Sequence, residues 1–190
     1  MTLLCVPIFV ESIEQANRDA ALAAEAGADV IELRIDLLDT SFGIREVIGI
    51  MERSTRPCIV TCRAASEGGQ SELPAADRVR FLAELEDAAY IDVEWSTLRA
   101  FPGLRIGADR VARLILSAHD FHGRPDRLTS LFAEMSAGDA EVVKVVWMAR
   151  SIRDNLEAFE LLQHRHKPTI ALCMGEAGLI SRVKADCSDR

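Results

Sequence analysis

The sequence has 190 residues, 49% of them apolar, with 22 Lys+Arg set against 30 Asp+Glu, a net charge of −8 and a pI near 5.1. That acidic balance argues against nucleic acid or an anionic membrane as partner, because phosphate binding needs a basic face. No apolar stretch approaches the ~20 residues that span a bilayer, and the length suits a single domain, residues 1–190, with a sizeable core.

The opening run MTLLCVPIFV has no basic start and no small-residue cleavage site, so it reads as a buried strand rather than a targeting segment. ESIEQANRDAALAAEAGA follows, Ala- and Glu-rich with Gly27 as a stop signal, and predicts a helix. DVIELRIDLL and PCIVTCR are strand-like, and LPAADRVRFLAELEDAA predicts a helix with Pro74 near its first turn. YIDVEW is a strand; the stretch from Trp95 to Arg113 holds Pro102 and Gly103, so its helix must be short or broken. RLILSAHDF is a strand, PDRLTSLFAEM a helix, VVKVVWMA a strand, and RSIRDNLEAFELLQHRH a helix whose basic end suits the negative pole of its dipole. TIALCMG makes the seventh strand.

Strands alternating with helices imply a parallel sheet. No GxGxxG turn follows the first strand, which removes the main sign of a dinucleotide fold. Polar residues occur on nearly every strand, as when strands surround one central site. The expected fold is therefore α/β, of the (β/α)8 TIM-barrel type. Such barrels run to about 250 residues. After Gly175 only EAGLISRVKADCSDR remains, so the barrel is expected to lack its last strand and helix.

Alternate residues of a strand share a face. Glu32, Arg34 and Asp36 therefore point one way and their aliphatic neighbours the other. The same pattern places Asp92 with Glu94, Thr61 with Arg63, and Ser117 with His119. Buried charges are costly unless paired. An edge strand with a solvated face would also explain the charges, but the Ile and Leu density around them disfavours it. Lys144 sits alone among valines. Desolvation disfavours its ammonium form, whose ordinary pKa is about 10.4, and so favours the nucleophilic amine that imine chemistry needs. A lysine snorkelling from a strand end is the plainer alternative. His119 stands near the C-terminal end of its strand, where barrels keep catalytic groups, and can act as acid and base near neutral pH. A satisfied core histidine is the alternative there. Arg63 ends a strand, Glu67 follows in the loop SEGGQ, and Arg182 lies in GEAGLISR after the seventh strand. Several arginines over one site imply a carboxylate or phosphate ligand, and the lack of a P-loop favours carboxylate. His122 falls in a loop, and His164 and His166 at a basic helix end are read as surface residues. The cysteines Cys5, Cys58, Cys62, Cys173 and Cys187 are odd in number with no CxxC, so they read as buried reduced thiols of a cytoplasmic protein and no metal site is expected.

In order along the chain, ELRID at 32–36, TCRAASEGG at 61–69, DVE at 92–94, SAHDF at 117–121, the lysine of VVKVVWMA and MGEAGLISR at 174–182 resemble type I 3-dehydroquinate dehydratase of the shikimate pathway. The resemblance implies a (β/α)8 barrel, usually a homodimer, that uses no cofactor and dehydrates 3-dehydroquinate to 3-dehydroshikimate. By the same resemblance, Lys144 forms an imine with the C3 ketone, and His119 takes a C2 proton and protonates the departing C1 hydroxyl. Glu67 then supports the histidine, Glu32, Arg34 and Arg63 bind substrate, and Arg182 engages its carboxylate. Two departures stand out. Pro7 occupies the place of a family serine, and the family's last strand, with its serine and glutamine, has no counterpart, which points to a partner chain or to fusion with another shikimate-pathway domain. An impaired module that binds a pathway metabolite or serves as a scaffold is the alternative function, and a class I aldolase a weaker one.

Overall fold

The computed structural model describes residues 2–38, 43–101 and 113–183. Pro102, Gly103 and Cys187 lie outside the described residues. The chain divides into two compact units, Leu3–Leu114 and Ile115–Arg190 with Met1–Thr2.

The first unit runs β1 (Cys5–Phe9), α1 (Ile13–Glu25), β2 (Val30–Arg34), α2 (Ile44–Arg53), β3 (Cys58–Thr61), a single 3-10 turn (Ala65–Glu67), α3 (Ala75–Ala83), β4 (Tyr90–Glu94) and α4 (Trp95–Ala100). Its strands are parallel in the order β1-β2-β3-β4. Pro7 pairs with Glu32, Glu32 with Ile59, Arg34 with Thr61, and Thr61 with Asp92. In-register neighbours of a parallel sheet point to the same side, so Glu32, Arg34, Thr61 and Asp92 form one face. The opposite face is aliphatic. Ile8, Ile31, Leu33, Val60, Ile91 and Val93 pack there in the core with Val47 and Ile50 of α2 and Val79 and Leu82 of α3.

Local chemistry sets the helix ends. Ser12 caps α1, its hydroxyl accepting from the Gln15 N–H at 3.1 Å. Past the end of α1, Gly27 takes a positive φ of 100°. The segment IREVIGIMER forms α2 although it is rich in β-branched residues and contains Gly49. Packing overrides that weak propensity: Val47 and Ile50 face the core one turn apart, and Glu46 accepts from the Gly43 N–H at 3.0 Å. Conversely α3 stops at Ala83, short of the predicted Ala89, and Trp95 opens α4 instead of closing β4.

The second unit takes up β5 (Arg113–Asp120) from Ile115 and continues through α5 (Leu128–Ser136), β6 (Val142–Met148), α6 (Asp154–Gln163), β7 (Thr169–Met174), a 3-10 turn (Glu176–Gly178) and α7 (Leu179–Val183). β5, β6 and β7 are parallel neighbours in that order. Val143, Val145, Trp147, Ala171 and Cys173 form the buried outer face. The basic residues expected in the last turn of α6 fall beyond it, with His164 as its cap. Among the described residues, no helix is long and apolar enough to cross a membrane.

Candidate active site

Each unit carries its share of the expected site on the polar face of its strands. In the first unit a lattice of acids and arginines fills that face. Arg34 grips Asp36 with two nitrogens, at 2.8 and 2.9 Å, just past the end of β2. Its guanidinium also lies 4.8 Å from the Phe9 ring centroid, a cation–π arrangement. Asp36 is buried and accepts a third bond, from the Gln70 N–H at 3.1 Å. Glu32 accepts from the Thr61 hydroxyl at 2.8 Å. Arg63 is 2% exposed and pairs with Asp92 at 2.8 Å and Glu94 at 3.7 Å. Burial by itself would depress the Arg63 guanidinium, but the carboxylates of Asp92, Glu94, Glu32 and Glu67 outweigh it and hold the group above its ordinary value. Glu94 binds outward as well, to Arg78 of α3 at 3.3 Å, the Thr97 hydroxyl at 3.1 Å and the Ala64 N–H at 2.8 Å.

Glu67 sits on the 3-10 turn rather than in an open loop and is buried. The turn closes through Glu67 N–H to Ala64 C=O at 3.0 Å and Gly69 N–H to Ala64 C=O at 2.9 Å. Gly69 has no alternative, since a Cβ there would stand 2.0 Å from the Arg63 carbonyl oxygen. The Ser96 hydroxyl donates to Glu67 Oε1 at 2.7 Å.

In the second unit Ser117 and Lys144 are register partners across β5 and β6, and His119 pairs with Val146. Ser117, His119 and Lys144 therefore share a face with Val142, Val146, Ile170 and Leu172. Ser117 is fully buried, and His119 and Lys144 are half-buried. Lys144 thus shares a largely aliphatic face with Ser117, its register partner, and with His119. Beyond His119, Asp120 accepts from the His122 and Gly123 N–H groups at 2.8 and 3.2 Å, and Arg150 donates to the His122 carbonyl at 3.0 Å, fastening the loop after β5 to the one after β6. Arg182 is exposed on α7, a short helix where a loop was expected. His122, His164 and His166 are exposed, Cys58, Cys62 and Cys173 are buried, and Cys5 is half-buried. No group of His, Cys, Asp or Glu among the described residues is arranged to hold a metal ion.

The model of the type I 3-dehydroquinase family matches residues 4–187. The chain belongs to the type I 3-dehydroquinase family. It is 37% identical to the 3-dehydroquinate dehydratase of Desulfotalea psychrophila, over 93% of this chain and 81% of that protein. It is 32% identical to the chloroplastic bifunctional 3-dehydroquinate dehydratase/shikimate dehydrogenase of Arabidopsis thaliana, over 96% of this chain and 31% of that protein. The crystal structure of 3-dehydroquinate dehydratase from Geobacillus kaustophilus superposes with a TM-score of 0.83, at 25% identity, over 96% of this chain and 77% of that one. The fold is thus the (β/α)-barrel type of this family, with seven strands among the described residues. Family and relatives are dehydratases, which are hydro-lyases, and the Arabidopsis relative joins this type of domain to a shikimate dehydrogenase.

Within the family frame, the first unit holds Glu32, Arg34, Arg63 and Glu67, and the second holds His119, Lys144 and Arg182. Pro7 lies on the polar face beside Glu32. Three supporting residues escaped the sequence reading: Arg78, Ser96 and Thr97. Arg78 belongs to an amphipathic helical stretch, where an arginine reads as solvated. A weak signal was available for Ser96 and Thr97, since they directly follow the acidic strand DVE.

Proposed function

We propose that this chain dehydrates 3-dehydroquinate to 3-dehydroshikimate, the third step of chorismate and aromatic amino acid biosynthesis, through an imine on Lys144. The observation that carries the reading is the β5–β6 face, where Lys144 is the register partner of Ser117 and His119 follows two residues on along β5. A neutral lysine amine is the nucleophile that imine formation needs.

In this reading the Lys144 amine attacks the C3 ketone and the carbonyl oxygen leaves as water. The iminium is a better electron sink than the ketone and acidifies the C2 proton. His119 accepts that proton; the resulting enamine expels the C1 hydroxyl, which takes the proton from His119 and leaves as water. Hydrolysis of the remaining imine releases product and restores Lys144. Glu67 orients and supports the imidazole, Glu32, Arg34 and Arg63 hold the substrate's polar groups, and Arg182 engages its carboxylate. No cofactor takes part. The reading treats residues 1–190 as one catalytic domain that works in the cytoplasm, as a homodimer or joined to another pathway enzyme. The free cysteines among the described residues fit a reducing compartment.

Borohydride trapping tests it. Incubation with 3-dehydroquinate and reduction should leave an adduct on Lys144, seen by mass spectrometry and absent in Lys144→Ala. His119→Ala should still form the adduct while its kcat falls by about 10²–10⁴. Binding without an adduct would sink the enzyme reading in favour of a metabolite-binding module. Substantial turnover by His119→Ala would remove that residue as the base.

A further inference from the structure

We propose that Ser96 is a positioning residue for Glu67, fixing the carboxylate that supports proton transfer; the inference rests on the role just given to Glu67. The two side chains come from elements far apart in sequence, the 3-10 turn after β3 and the first turn of α4, and meet at 2.7 Å. A hydroxyl-to-carboxylate bond of that length belongs to the strong, charge-assisted class.

The placement is doubly determined. Glu94 closes β4 and accepts from the Ala64 N–H at 2.8 Å, and two residues on Ser96 reaches Glu67, three residues beyond Ala64. Backbone and head group of the Glu67 turn are therefore clamped to the same β4–α4 junction. Gly69 fixes the turn from its other side, where the Arg63 carbonyl leaves no room for a Cβ. With the main chain held at both points, the contact with Ser96 restrains the side-chain torsions of Glu67. Threonine could supply the same hydroxyl, whereas alanine could not.

The charges gathered here explain why a neutral donor matters. Arg63, two residues beyond the end of β3 rather than on the strand as expected, feels Asp92 and Glu94 from β4, Glu32 from β2 and Glu67 itself. Arg63 and Arg78 are shared among several acids. A donated hydrogen bond favours the ionised form without adding charge to the cluster. Ser96 is itself exposed, so it supplies this bond from the solvent edge of a buried group.

The test compares wild type, Ser96→Ala and Ser96→Thr in full-length protein. Ser96→Ala should lose roughly tenfold in kcat, the scale of one hydrogen bond to a charged group, with KM within about twofold as only the chemical step is affected. The acidic limb of its kcat profile should move to higher pH, borohydride trapping on Lys144 should persist, and Ser96→Thr should restore rate and profile. Unchanged kcat and pH profile in Ser96→Ala, a loss confined to KM, or failure of Thr to rescue would overturn the inference and leave the dehydratase reading standing. Absence of any adduct in wild type would instead defeat that reading. A crystal structure of Ser96→Ala decides the inference independently of activity: the Glu67 carboxylate should leave its wild-type position, and an unchanged position rejects the role of Ser96.

Discussion

Cys173 shows how far a single environment can move a side chain. Burial pushes its thiol up to about 12, with the Asp154 and Glu157 carboxylates adding to the effect and the Ser181 contact opposing it. Cys58 and Cys62 are raised too, again mainly by burial. The thiolate is the reactive form, so iodoacetamide applied to the folded protein at about pH 8 should leave Cys58, Cys62 and Cys173 unmodified, as peptide mass mapping after quenching would show. Labelling of Cys173 without unfolding would contradict its burial. The linkage has a definite sign. Between the ordinary value of 9.0 and about 12, the folded chain keeps a proton at Cys173 that the unfolded chain releases. Unfolding is therefore favoured as pH rises through that window, and urea midpoints should decline across it. Cys5, half-buried at the start of β1, departs from the expectation that all the thiols are buried.

At the level of elements, the polar faces of the strands depend on supports from the helices and turns around them. Arg78 reaches from α3 to Glu94 and Thr97, both at 3.3 Å, and to the Leu73 carbonyl at 3.0 Å, while only 5% exposed. Breaking a buried pair leaves a charge without its counter-ion, at a cost of about 3–5 kcal/mol. Arg78→Met should lose about that much in urea denaturation, lessened where the Ala64 N–H and Thr97 hydroxyl still serve Glu94. A loss below about 1 kcal/mol would mean that Glu94 is solvated in the folded state. The Glu67 turn offers a second test. Gly69→Ala places a methyl group against the Arg63 carbonyl, and relieving such overlap by backbone movement costs about 1–3 kcal/mol. Thermal unfolding should show the loss, and kcat should fall with it because Glu67 rides on the displaced turn. Wild-type stability in Gly69→Ala would show that the turn relaxes without strain. The same scale accounts for α2: its propensity is poor, and the apolar contacts of Val47 and Ile50 that offset it become visible only in the packed unit.

For the molecule as a whole, an acidic chain of net charge −8 belongs to a family of enzymes acting on 3-dehydroquinate, an anionic substrate. Bulk charge would repel such a ligand. In the proposed function, cations held at particular positions do the recognition, and the arginines illustrate the difficulty of choosing them from sequence. Arg34 and Arg63 are engaged with acids on the polar face, whereas Arg182 is exposed on α7.

Sequence alone determined the seven strands, their two faces and the family. Period-2 alternation is written into each strand separately, so Glu32, Arg34 and Asp36, or Ser117 and His119, can be assigned to one side without knowing what they face. Six ordered segments then marked the resemblance that the family match bears out. Only the tertiary structure decided which acid meets which donor. Ser96 reaches Glu67, Arg78 reaches Glu94 and Thr61 reaches Glu32 across chain separations of 29, 16 and 29 residues. Hydrogen bonds depend on ångström distances between groups on different elements, and those distances are set by strand register and helix packing rather than by spacing along the chain.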